Sequence, residues 1–285
     1  MATIQCGSVR FENIQAVLFD KDGTLANVER YLVALGELRS HLVATSLYPT
    51  NAELAQDFAD DLLKTFGQTR SAIAPDGLMA VGSRYDNEIA AAAAISSTGV
   101  GWIASCNQAQ LAFQQAEATL SPKVLQTPPL DGMSVLLSSL KTAGLQIGIV
   151  SSDVHPEVAA FVSRYTTDEI SWYCGAGEQT LPKTHPDFLQ FACDSMAVDP
   201  AATLVMGDSA ADWVLAAGAA SPAAGFVAMT GGWQQPPTID FRQACIPIEF
   251  EGAGPEGAGP KGTASQRRRL TYAVIESLSA VEAFK

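Results

Sequence analysis

Asp20 and Asp22, in the run Asp20-Lys21-Asp22-Gly23-Thr24, are the residues of this chain best placed to do chemistry. Side chains at i and i+2 of an extended chain project to the same side. The run follows a short apolar stretch, Ala16-Val17-Leu18-Phe19, which reads as a buried parallel strand. The carboxyl end of such a strand is where an open α/β sheet places its ligand site, and Gly23 lets the chain turn sharply there. Two close carboxylates repel, so one takes a proton unless a cation lies between them. Both outcomes are useful: a divalent metal with one ionised aspartate supplies a nucleophile, and a protonated partner supplies an acid. The plain alternative is a helix cap or an Asp-Gly turn.

Three further stretches end in polar groups at strand ends. Gly207-Asp208-Ser209-Ala210-Ala211-Asp212 follows the apolar Leu204-Val205-Met206. Its two aspartates lie one helical turn apart and offer the oxygen ligands that Mg²⁺ prefers, although Asp208 or Ser209 could also be a simple cap. Ile149-Val150 runs into Ser151-Ser152-Asp153, where hydroxyls and backbone N–H groups at a helix start can hold phosphate oxygens. Lys183, in Leu181-Pro182-Lys183-Thr184-His185-Pro186, falls between a strand and a helix and so reaches the same sheet edge. His41, His155 and His185 show no metal-ligand spacing.

The elements that position these residues alternate. Strand-like runs at 16–19, 147–150, 170–173, 204–206 and 225–229 are separated by helical stretches around 130–143, 155–165, 185–196 and 209–218. That rhythm predicts a parallel α/β sheet. Residues 26–120 break it. Leu35, Leu38 and Leu42 recur at helical spacing, as do Leu54, Phe58, Leu62 and Phe66, with Asn51 as N-cap and Gly67 as C-cap. Further helices are expected at 86–96 and 106–120. The expected architecture is therefore a Rossmann-like, doubly wound parallel core over 1–25 and 121–285, with an inserted α-helical cap domain over 26–120. A loop insertion is expected at 234–269, because Glu-Gly-Ala-Gly-Pro repeats at 251–255 and 256–260 and makes 251–262 rich in Gly and Pro.

Composition narrows the function. Of 285 residues, 47% are hydrophobic, enough for a sizeable core, and the formal net charge is −13, which argues against nucleic acid as a partner. Cys6, Cys106, Cys174, Cys193 and Cys245 form no C-x-x-C pair, which points to a reducing, cytoplasmic setting. Residues 1–15 carry no apolar signal-peptide run. The uncharged stretch from Trp213 to Gly232 is broken by Ser221-Pro222 and Gly225. It reads as helix, turn and strand rather than a membrane span.

Taken in order, these pieces resemble the haloacid dehalogenase (HAD) superfamily of phosphotransferases. Asp20-Lys21-Asp22-Gly23-Thr24 looks like its D-x-D-G-T motif, Ser151 like its second motif, Lys183 like its third, and Gly207-Asp208 with Asp212 like its fourth. The insert falls where subclass I members carry a helical C1 cap. The resemblance implies that Asp20 attacks phosphorus and becomes an aspartyl-phosphate, while Asp22 protonates the leaving oxygen and then activates water. It implies Mg²⁺ held by Asp20, the Asp22 backbone carbonyl and Asp208, with Asp212 behind them or reaching the metal through water. Ser151 and Lys183 then hold the phosphoryl oxygens. Ser152 and Thr24 are further phosphate-binding candidates, with Thr24 bracing the loop. Asp at position 22 favours phosphoester chemistry over dehalogenation. Two departures are Ser152-Asp153, where many relatives have Asn after the motif-two hydroxyl, and Thr184, which stands where Pro commonly follows the lysine.

The cap should choose the substrate. Gly82-Ser83-Arg84-Tyr85-Asp86 resembles the specificity loop of phosphoglycolate-phosphatase-like and phosphoglucomutase-like members. Arg84 could clamp a carboxylate or second phosphate, or simply stand in solvent beside a capped helix. The leading expectation is a Mg²⁺-dependent phosphatase for a small phosphorylated metabolite. The alternatives are a β-phosphoglucomutase-type phosphomutase and a catalytically idle HAD-fold scaffold.

Overall fold

The computed structural model describes residues 1–177, 181–217, 221–237 and 270–284. The expected Gly/Pro-rich loop at 251–262, and 238–269 of the expected insertion, lie outside them. The backbone begins with a hairpin, β1 (Ala2–Cys6) and β2 (Val9–Ile14), and enters the main sheet at β3 (Ala16–Asp20). Five helices follow: α1 (Glu29–Leu47), α2 (Ala52–Thr65), the short α3 (Leu78–Val81), α4 (Arg84–Ser97) and α5 (Trp102–Leu120). The α/β alternation then runs through α6 (Met133–Thr142), β4 (Gln146–Val154), α7 (His155–Tyr165), β5 (Trp172–Ala176), α8 (Phe188–Met196), β6 (Thr203–Gly207), α9 (Ala210–Ala217) and β7 (Gly225–Met229). Two short strands close the described chain, β8 (Tyr272–Ile275) and β9 (Val281–Phe284).

Six parallel strands form the main sheet in the order β5-β4-β3-β6-β7-β8. The chain leaves β3 for β4 and β5 on one side, then returns to β6 and β7 on the other, so the order reverses around β3. This is an α/β, Rossmann-like, doubly wound sheet, and its switch point lies at the β3 end. The strands are apolar on both faces because helices cover both. On one face Val17, Phe19, Ile147 and Ile149 pack with Met133, Leu136 and Leu140 of α6 and Phe161 of α7. On the other, Ala16, Leu18, Val150 and Val205 pack with Leu189 and Met196 of α8 and Trp213 of α9. Each such fully buried large apolar side chain contributes about 1.5–3 kcal/mol.

The hairpin pairs with β9 into an antiparallel sheet, β2-β1-β9, that the sequence reading did not anticipate. Its signal is present: Ala2, Ile4 and Cys6 alternate inward and are buried. The third expected strand, 170–173, is displaced to Trp172–Ala176.

The helices between Glu29 and Leu120 build a separate apolar cluster that includes Leu35, Leu62, Phe66, Ile95 and Phe113. Asn51 caps α2 by accepting from the Leu54 N–H at 3.1 Å, and Gly67 follows it with φ +73°. Ser83 and Asp86 form a reciprocal capping box at the start of α4. The expected 54/58/62/66 stripe holds at Leu62 and Phe66, which are buried, and at Phe58, which is half-buried, but not at its first position. Leu54 is exposed, whereas Ala55 and Ala59 are buried against Ala44 of α1. Small residues let two helices approach closely, which outweighs burying the larger Leu54.

Candidate active site

The sheet register brings the polar strand ends together. Asp20 pairs in register with Val150, which puts Ser151 one residue further along the neighbouring strand. Phe19 pairs with Met206, which puts Asp208 at the same edge on the other side. Strand β4 does not stop at the hydroxyls, as its sequence suggested. It continues through Ser151 and Ser152 to Val154, with an irregularity in its pairing to β5 between Val150 and Val154.

Gly23 has φ +81° and lies so close to its neighbours that a Cβ there would come 2.5 Å from both an Asp208 carboxylate oxygen and Trp233 Nε1. The sharp turn and the tight approach both require glycine. Thr24 is fully buried and donates its hydroxyl to Asp208 Oδ1 at 3.1 Å, so it braces that carboxylate. Trp233 donates from Nε1 to the other oxygen, Oδ2, at 2.7 Å. Ser209 donates from its N–H (3.0 Å) and hydroxyl (2.6 Å) to Asp212 Oδ2.

Asp20, Asp208 and Asp212 are all buried, with one carboxylate oxygen of each within 4.8 Å of the others. Lys183 Nζ is ion-paired with Asp20 and with Asp212, the latter at 2.6 Å. Burial pushes the Asp20 carboxyl up, Lys183 pulls it back, and Asp212 and Asp22 raise it again, leaving it at about 6. Asp208 is held well above the ordinary carboxylate value by burial and by Asp20 and Asp212, although the Trp233 bond opposes this. Among the described residues, three buried carboxylates against one paired ammonium leave an excess of negative charge. Hard oxygen donors in that arrangement fit a divalent cation such as Mg²⁺.

Asp22 belongs to a different cluster. Its Oδ1 pairs with Lys21 Nζ, and its Oδ2 accepts from Lys123 Nζ at 3.0 Å. Both lysines also pair with Asp153, Lys21 at 3.1 Å. Burial works against the Asp153 charge, but Lys123 and Lys21 outweigh it and hold the carboxyl well below its usual range. Sequence reasoning missed Lys21, Lys123 and Trp233 and treated Asp153 only as a departure. Lone lysines carry no signal by themselves; for Asp153, the signal was an acid where an amide was expected.

A cavity of about 320 Å³ opens over these groups, lined by Asp20, Asp22, Ser151, Ser152, Lys183 and Asp208 on the sheet side. Its far wall comes from the helical insert. There Arg84 lines the cavity but has its guanidinium engaged, Nε with both Glu117 oxygens (2.8 and 3.0 Å) and Nη1 with Glu88. Arg39, 4% exposed, pairs with Glu117 at 2.7 Å and sits 4.1 Å from the Phe113 ring centroid. The expectation that Arg84 is either a ligand clamp or a solvated residue thus meets a third arrangement, a cavity-facing arginine already partnered by acids.

The family model of haloacid dehalogenase-like hydrolases matches residues 14–221. The chain belongs to this family. As a HAD-like hydrolase it also shares its fold with solved structures. One is a predicted phosphoglycolate phosphatase from Haemophilus somnus 129PT, at 17% identity, covering 82% of this chain and 92% of that one with a TM-score of 0.54. Another is a hydrolase from Pseudomonas syringae, at 15% identity, covering 93% and 94% with a TM-score of 0.50. At these identities the likeness concerns the fold. No curated protein sequence matches this HAD-like chain. Among its described residues no helix is long and apolar enough to cross a membrane.

Proposed function

We propose that this HAD-like hydrolase is a Mg²⁺-dependent phosphatase of small phosphorylated metabolites, working through an aspartyl-phosphate on Asp20. The observation that carries this reading is the position of Asp20. It is paired with Lys183 and lies beside two further buried carboxylates, in the lining of a cavity that Asp22 also lines.

In this reading Asp20, Asp208, Asp212 and the Asp22 backbone carbonyl would hold Mg²⁺, which when bound supplies charge neutralisation for the phosphoryl oxygens and favours ionised Asp20. Asp20 forms a bond to phosphorus as the ester P–O bond breaks, and Asp22 passes a proton to the departing oxygen. Water then attacks the aspartyl-phosphate, giving its proton to Asp22 and releasing inorganic phosphate. Lys183 and Ser151, with Ser152, orient the phosphoryl oxygens. Thr24 acts indirectly, by bracing Asp208. Residues 26–120 serve as the cap, with Arg39, Arg84 and Glu117 forming the wall that meets the rest of the substrate. A cavity of about 320 Å³ suits a metabolite-sized ligand.

The test is Mg²⁺-dependent phosphate release from a panel of phosphorylated metabolites and p-nitrophenyl phosphate, comparing the wild type with Asp20→Asn. Turnover by the wild type and none by a folded variant is the expected result. A variant as active as the wild type, or a metal-loaded wild type silent on every ester, would overturn the reading.

A further inference from the structure

We infer that Lys123, together with Asp153, is a positioning residue for Asp22, setting the direction in which that carboxyl delivers its proton. The inference rests on the phosphatase reading above and adds a residue to it. Lys123 follows the last insert helix, α5, by three residues, and nothing in its sequence surroundings marks it out. The fold nonetheless buries it to 8% exposure and places its ammonium between Asp22 Oδ2, at 3.0 Å, and Asp153 Oδ2. Neighbouring groups hold it in place. The Tyr31 ring lies 5.4 Å from Nζ, Thr127 donates to the Lys123 carbonyl at 3.2 Å, and Tyr165 donates to the next carbonyl, Val124, at 2.9 Å.

The two oxygens of Asp22 are thus held by different lysines, Oδ1 by Lys21 and Oδ2 by Lys123. Lys21 is itself buried and tied to Asp153 at 3.1 Å, but it holds only one oxygen, and a carboxylate held at one oxygen can still turn about that contact. Lys123 comes from a remote segment and removes that freedom. Asp153 sets a carboxylate against the two ammoniums, and Glu157 adds a further acid at the edge of the cluster. Asp22 is therefore oriented without an excess of positive charge beside it. Removing Lys123 would leave Asp22 and Asp153 sharing Lys21, and their repulsion would displace Asp22. A misplacement of about 1 Å costs a reaction on the order of 10²-fold.

The leaving group provides a readout that a merely structural residue would not move. Protonation matters for an alkyl phosphate, whose alkoxide leaves poorly, and little for p-nitrophenyl phosphate, whose phenolate leaves readily. The parameter kcat/KM reports the steps through phosphoryl transfer to Asp20 and so excludes the later water attack. Measured on the best alkyl ester of the panel and on p-nitrophenyl phosphate, Lys123→Met should lower kcat/KM for the alkyl ester about tenfold or more beyond any loss on the aryl ester. Lys123→Arg should restore part of that difference. Equal losses on both esters would make Lys123 a phosphoryl-binding or merely structural residue and overturn the inference, as would no loss on either. If Lys123→Met fails to fold, Lys123→Gln carries the same comparison. A wild type inactive on both esters would remove the phosphatase reading itself. An active wild type with an unchanged ester ratio in the variants would remove only the role of Lys123.

Discussion

Asp20 and Asp22 are two residues apart, one at the end of β3 and one in the turn after it, yet they stand in opposite electrostatic surroundings. Asp20 shares a buried pocket with Asp208 and Asp212, against Lys183 as the single cation paired with them among the described residues. Asp22 shares two paired lysines with Asp153. The first cluster is short of positive charge and suits a divalent cation. The second is already balanced and needs none. Strand geometry explains how neighbours come to differ: Asp20 ends β3 between β4 and β6, while Asp22 has entered the turn that faces the insert. The proposed nucleophile and the proposed proton carrier thus stand in different surroundings although the chain brings them side by side.

The largest expected effect breaks the Asp20 side. Asp20→Asn should lower kcat by about 10⁴-fold or more, because no carboxylate oxygen remains to attack. The same change should leave the thermal midpoint of the metal-free protein unchanged or higher, since it removes a buried charge that the site disfavours. Metal removal comes next: chelation by EDTA should depress phosphate release by about 10³-fold, reversibly on adding Mg²⁺, as loss of several kcal/mol of charge stabilisation requires.

On the Asp22 side the expected effect is on stability. Asp153→Leu leaves Lys21 and Lys123 facing one acid instead of two, and urea unfolding should show a loss of about 3 kcal/mol. If Asp20→Asn and Asp153→Leu changed stability alike, the contrast between the clusters would be wrong. Trp233→Phe sharpens the first cluster more gently. Without the 2.7 Å bond to Asp208, Mg²⁺ affinity by calorimetry should fall about tenfold with the fold intact.

The smallest effect is a pH dependence in EDTA. The Asp20 carboxyl titrates at about 6 in the fold against an ordinary value of 3.8, and Asp208 is raised in the same direction. The folded state therefore binds more protons than the unfolded state in that window. Stability from this source is complete below 3.8 and declines as pH rises through about 6. The shift in thermal stability between pH 5 and pH 7 should be on the order of 1 kcal/mol, the worth of one pKa unit. Asp153 has the opposite sign, because its carboxyl is held low; its contribution is lost only as pH falls below 3.8.

Much of this was legible in the chain itself. The apolar runs ending in Asp20, Ser151 and Asp208 announce parallel strands whose polar ends must meet, because parallel strands with right-handed crossovers present all their carboxyl ends at one edge. Asn51 likewise marked a helix start through local capping chemistry. The antiparallel sheet of β1, β2 and β9 was harder to see, since its strands are short and one partner lies at the far end of the chain. Helix α2 was seen, and so was the inward position of Leu62 and Phe66 at its end, but its first turn was not, because the choice between Leu54 and Ala55 depends on how closely α1 can approach.

The sequence by itself determined the fold class and the four stretches that form the sheet side of the cavity, since period, turn chemistry and strand ends are local properties. Only the tertiary structure decided the electrostatics. Lys123 lies 101 residues from Asp22 and 30 from Asp153, Trp233 lies 25 from Asp208, and Glu117 lies 78 from Arg39. A charge acquires its meaning from what surrounds it within a few ångströms, and for these groups the surroundings are assembled from distant segments by packing.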